Sequence, residues 1–198
     1  MDRRQFLSLT IATPLFAGCT SLSSSEDSPD GTAENTLLGN RSPPSREDLD
    51  TALRPPAEEP PDATDETVPP IQYPTKPTTY DETSITQFVD AHERAYQRNE
   101  PLERLGGDLT DHTFWWHWTV SLGTSENAGV GRGQYRYAYT RQEDGTGTEV
   151  VSDGPRVVVT YYVDESMIVR AQKEGEASRR DELAPDPWES GVILEPAD

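Results

Sequence analysis

Between Phe114 and Leu122 the chain reads FWWHWTVSL. Wound as a helix, this stretch would scatter its large apolar groups around the cylinder. Extended, it lines Phe114, Trp116, Trp118, Val120 and Leu122 along one face and Trp115, His117, Thr119 and Ser121 along the other. The stretch therefore predicts a β-strand with one strongly apolar face, and such a face requires a cover. Upstream, Ile85, Phe88, Val89, His92, Ala95 and Tyr96 recur at helical spacing and form one stripe. Asp81 or Ser84 can cap that helix, with Ser84-Ile85-Thr86-Gln87 in capping-box form. Asn99-Glu100-Pro101 interrupts the pattern, and Gly106-Gly107 ends any continuation.

Period-two alternation continues downstream. Tyr135, Tyr137 and Tyr139 alternate with Gln134, Arg136 and Ala138, and Val157, Val159, Tyr161 and Val163 share one side of Arg156 to Val163. A fourth strand runs from Met167 to Gln172, and Gly191 to Leu194 adds a short edge. Residues 81–198 thus predict an α+β domain, one N-terminal helix packed on a four- to five-stranded antiparallel meander. The order is similar to cystatin-like or NTF2-like folds in topology, which carries no function with it.

If the helix covers one face, the other displays Arg132, Arg136, Arg156 and Arg170 beside Trp115 and His117. The four main strands contain no Asp or Glu. Forked guanidinium donors next to aromatic rings suit recognition of carboxylate or sulfate groups, so this face is the candidate anion-binding site. The alternative is that these arginines stack on the aromatics and pair with loop acids. Paired carboxylates for glycoside hydrolysis cannot come from such a sheet. His92 lies on the apolar stripe, where a histidine reads as a packing residue. The glycines of Gly129 to Gly133 lead into a strand instead of a helix, which speaks for close backbone approach and against a phosphate cradle. Glu143 to Glu149 lacks the spacing of a calcium loop and reads as a hairpin loop. His92, His112 and His117 are too scattered for a metal cluster, and no serine lies in a nucleophile elbow. No catalytic residue, metal or cofactor is assigned.

Ahead of the domain the composition changes. Eleven of the 17 prolines fall between Thr20 and Tyr80, among Ser, Thr, Asp, Glu and Ala. So polar a segment offers little surface to bury against its ordering entropy, and residues 19–80 predict a disordered or polyproline-II tether. Asn40-Arg41-Ser42 is a glycosylation sequon, making Asn40 a possible acceptor. The formal net charge of −19 argues against nucleic acid as a partner.

The first residues are a processing segment. Arg3 and Arg4 form a twin-arginine n-region, and the apolar run from Phe6 to Gly18 is far shorter than the ~20 residues of a membrane-spanning helix. Phe16-Ala17-Gly18-Cys19 has the form of a lipobox, with Cys19, the one cysteine of the chain, as the lipidated residue. A single cysteine also leaves no intrachain disulfide. Scarce lysine (Lys76 and Lys173) in an acidic chain, together with this N-terminus, resembles the twin-arginine-exported lipoproteins of haloarchaea. The resemblance implies cleavage after residues 1–18, export in folded form, and a halophilic cell-surface protein held in the membrane by lipid on Cys19. It names no activity. The sequence-level expectation is a lipid-anchored protein on the extracellular face, whose non-catalytic domain binds an envelope protein or an anionic glycan. The alternative is a small-ligand-binding or catalytic domain with a pocket between helix and curved sheet.

Overall fold

A computed structural model describes residue 38 and residues 41–143, 147–177 and 183–197. The signal, Cys19, Arg3, Arg4 and Asn40 lie outside the described residues. The elements are β1 (Asp50–Leu53), α1 (Glu82–Leu105), a 3-10 turn (Gly106–Asp108), β2 (Leu109–Thr124) and β3 (Ala128–Glu143). These are followed by β4 (Thr148–Asp153), β5 (Val157–Asp164), β6 (Ile168–Glu174), α2 (Pro187–Ser190) and β7 (Val192–Glu195). The class is α+β, as expected. The sheet is larger and mixed: its order is β1-β7-β6-β5-β3-β2, with β4 pairing β3 beyond the end of β5. β1 runs parallel to β7, and the remaining pairs are antiparallel.

Helix α1 starts where Asp81 caps it, its side chain accepting the Ser84 N–H at 2.7 Å. The helix runs through Pro101, whose missing N–H it tolerates, and ends where Gly106 adopts φ +59°, a conformation suited to glycine. Its stripe packs on Tyr135, Val157, Val159, Tyr161 and Val163, forming the first core. Glycines 129 and 131 of β3 face this helix, and Gly133 lies against the Trp116 ring. A Cβ at Gly131 would sit 2.7 Å from a Val89 methyl and 2.9 Å from an Ile85 methyl, so bare backbone lets α1 approach the sheet.

The alternation that opens β2 breaks at His117. The register shifts between Trp116, opposite Tyr135, and Trp118, opposite Gln134, leaving His117 as a bulge. One extra residue reverses the phase of the side chains that follow, here up to a further shift between Ser121 and Gly123. Phe114 and Trp116 therefore join the helix-side core, whereas Val120 and Leu122 turn to the opposite face. There they meet Val130, Tyr162, Met167, Val169 and Ile193 in a second core. The face expected to be open and arginine-rich is thus apolar and covered at its centre, with Leu38, Leu49, Leu183 and Trp188 packed over it.

The cover corrects the expected tether. From Arg41 onward the proline-rich segment is laid on the domain. Arg41 pairs with Asp186 at 2.8 Å, Arg46 with Glu195 at 2.8 Å, and Trp188 Nε1 donates to the Ser42 carbonyl at 2.8 Å. Further on, the Asn99 side chain both donates to and accepts from the Ile71 backbone, at 2.8 and 2.9 Å, and the Val68 N–H donates to Leu109 O at 2.9 Å. A proline-rich strand has few N–H groups of its own to satisfy, so a handful of side chains such as Asn99 suffices to fasten it.

Candidate functional site

The stripe of α1 carries a carboxylate. Glu93 follows Val89 by one helical turn, faces the sheet and is 0 % exposed. Opposite it, β6 turns Ile168, Arg170 and Gln172 toward the helix, and Arg170 is 6 % exposed. Arg170 donates to Glu93 Oε2 from Nε at 2.8 Å and to Oε1 from Nη2 at 2.7 Å, a bidentate pair. Each carboxylate oxygen takes one more donor: the Tyr161 hydroxyl on Oε2 at 2.6 Å, and Gln97 Nε2 on Oε1 at 3.0 Å. Gln97 also donates to the Tyr135 hydroxyl at 2.8 Å, Arg170 to Gln172 Oε1 at 2.7 Å, and the guanidinium lies 4.2 Å from the Tyr96 ring centroid. Charge taken out of water is tolerated here because all four acceptor positions of the carboxylate are filled.

Ionisation follows this geometry. Burial pushes the Glu93 carboxyl up, but the Arg170 charge and the converging hydrogen bonds bring it down to about 2. Burial raises the Tyr135 and Tyr161 hydroxyls well above their ordinary value, and the Glu93 charge adds to the effect. Since Tyr161 donates its proton to Glu93, its oxygen accepts from His92 Nδ1 at 3.1 Å, which fixes the histidine tautomer. His92 Nε2 has no partner among the described residues, and burial draws the ring's pKa down to about 3. His92 is thus a neutral packing residue between Tyr73, Phe88 and Tyr161, as its place on the stripe predicts.

Next to this network, between α1 and the sheet, lies a groove of about 410 Å³. Tyr96, Gln97 and Glu100 of α1 form one wall, Tyr135 and Tyr137 of β3 another, and Gln172 and Glu174 of β6 the third. Gln97, Tyr135 and Gln172 belong to both groove and network, so the buried ion pair holds them in place. The groove offers amide, phenol and carboxylate groups in close array, suited to a polar ligand held by several hydrogen bonds.

The expected anion face is not assembled. Arg170 points at the helix, because Glu93 and the phase of β6 draw it there. Arg132 lies on the opposite face but is 0 % exposed, its Nε donating to Thr160 Oγ1 at 3.2 Å. Arg156 is paired with Glu176. What remains is a small patch at the outer end of the sheet, where exposed Arg136 stands opposite Trp115, itself 50 % exposed, with exposed His117 at the bulge. Among the described residues, no group of three or more His, Cys, Asp or Glu side chains could hold a metal ion. Among them also, no helix is long and apolar enough to cross a membrane. Glu143 and Thr148 pair across the hairpin that the acidic loop was expected to form, and residues 144–146 lie outside the described residues. No protein-family model matches the chain, and no curated protein or solved structure matches it significantly.

Proposed function

We propose that the chain is a lipid-anchored protein of the extracellular face of a halophilic cell, with a non-catalytic domain that binds a polar group in the groove between α1 and the sheet. The address rests on Arg3, Arg4 and Cys19. The observation that carries the binding role is the groove's floor, in which Gln97, Tyr135 and Gln172 are fixed by the Glu93–Arg170 pair. A rigid set of donors and acceptors loses little entropy on binding. A binding role is favoured over catalysis because the strongest buried acid, Glu93, has every oxygen engaged and no proton to exchange near neutral pH. The groove's carboxylates, Glu100 and Glu174, also turn the expectation away from an anionic glycan and toward a neutral or hydroxyl-rich group of an envelope component.

The test is a pull-down from intact cells in high salt with the anchored protein as bait, wild type against Gln172→Leu and Cys19→Ser. Gln172→Leu is expected to stay in the membrane fraction and lose the envelope component. Cys19→Ser is expected to leave the membrane. Retention of the component by Gln172→Leu would remove the groove, and a membrane-bound Cys19→Ser would remove the anchor.

A further inference from the structure

Most arginines among the described residues are spoken for. Arg41, Arg46, Arg94, Arg104, Arg156 and Arg170 each pair with a carboxylate. Arg98 donates to the Pro69 and His112 carbonyls, and Arg132 to Thr160. Arg54 differs. It directly follows β1, and its backbone N–H donates to the Glu195 carbonyl at 2.8 Å, which pins its Cα beside β7. Its side chain has no hydrogen bond or ion pair with any described residue. The guanidinium instead lies over Tyr73, 4.4 Å from the ring centroid. Arg136 and Arg141 also lack an acid partner among the described residues, but both stand on strand β3 and line none of the described cavities. Arg54 lines a cavity of about 220 Å³ that Pro55, Pro56, Tyr73 and Ala197 also enclose.

A guanidinium resting over a ring, with no other partner among the described residues, has N–H donors to offer a second ligand, and two parallel N–H groups match the two oxygens of a carboxylate. Prolines beside it make the walls stiff and bring no competing N–H donors. Glu58 lines the cavity as well, yet its carboxylate forms no ion pair with Arg54. We propose that Arg54 and Tyr73 form a carboxylate-binding site, separate from the groove beside Glu93, which takes either a free small organic acid or the uronic-acid group of a surface glycan. Proline-rich composition concealed this site, since it placed Arg54 in a tether.

The experiment uses the full-length chain in detergent at constant high ionic strength, following the arginine Nε–H resonances and calorimetric heats. Acetate, free glucuronate and a glucuronate-containing oligosaccharide are the probes, with chloride as the control. Wild type is expected to saturate with the carboxylates, and to bind chloride, which has no second oxygen for the fork, at least about tenfold more weakly. Arg54→Gln is expected to abolish the response. Arg54→Lys, which keeps the charge without the fork, is expected to weaken it at least about tenfold. Glu58→Gln is expected to tighten it by removing a like charge. Tighter binding of the oligosaccharide than of free glucuronate assigns the glycan source, and equal or weaker binding assigns the free acid. Chloride binding as tight as acetate, unchanged binding in Arg54→Gln with an intact spectrum, or no saturable response in wild type would each overturn the proposal. If Arg54→Gln does not fold, the Arg54→Lys and Glu58→Gln comparison decides in its place.

Discussion

Replacing Glu93 by Gln keeps the shape of the side chain and removes its charge. Arg170 would then hold a full positive charge at 6 % exposure with no carboxylate beside it. An uncompensated buried charge costs about 3–5 kcal/mol, against a total stability of about 5–15 kcal/mol for a domain. With a urea m-value of about 2 kcal/mol/M, the expected fall in midpoint is about 1.5–2.5 M. The helix supplies its own control. Asp90 and Arg94 are paired at 3.1 Å one turn away, but their side chains are 41 % and 44 % exposed, so Asp90→Asn should cost no more than about 0.5 kcal/mol. Urea unfolding in high salt, followed by tryptophan fluorescence, measures both. The double variant Glu93→Leu with Arg170→Met should recover most of the loss, because a buried pair replaced by apolar groups leaves no charge to strand. A Glu93→Gln cost below about 1 kcal/mol, or equal costs at Glu93 and Asp90, would refute the reasoning that burial decides the worth of these pairs.

Two histidines make stability depend on pH. Burial lowers the pKa of His92 to about 3 and that of His112 to about 4, so below about pH 6.5 the unfolded chain binds protons that the native state does not. Stability is therefore full above pH 6.5 and falls as pH drops toward 4, with His92 alone contributing on the order of 4 kcal/mol by pH 3. Glu93 adds to the loss only between its ordinary range and about 2. Urea midpoints at pH 7.5, 5.5 and 4.5 check the slope, which His92→Phe should flatten. Gly131→Val should cost more than about 3 kcal/mol by driving α1 off the sheet, read as loss of cooperative unfolding. Limited proteolysis should leave a resistant fragment that starts near Arg41; a cut near Tyr80 that releases a stable remainder would contradict the packed segment.

The helix was legible because Ile85, Phe88, Val89, His92 and Tyr96 repeat at its period, and β2, β3 and β5 because their residues alternate. β4 escaped notice because Thr148–Asp153 lies on the surface and shows no apolar period. The bulge at His117 was invisible for a different reason. Trp118, Val120 and Leu122 are as apolar as Phe114 and Trp116, and with a core on each face of the sheet, either phase buries them. Arg170 was misplaced for the same cause, since Val169 and Ile168 both have a core to enter. Glu93 was available in the sequence, one turn after Val89 and one before Gln97, but a stripe defined by apolar residues passes over it. The segment from Arg41 to Tyr80 gave no periodic signal, because its partners, Asp186, Glu195 and Asn99, are remote in sequence or act through backbone.

Photocross-linking in living cells tests the groove most directly. A benzophenone side chain at Glu174, exposed on the groove's rim, is expected to yield one discrete adduct with an envelope component. The same group at Val151, which is 68 % exposed on the opposite face of the sheet, is expected to yield none. Adduct formation from Val151 alone, or the same adducts from both positions, would contradict the assignment of the groove as the binding site.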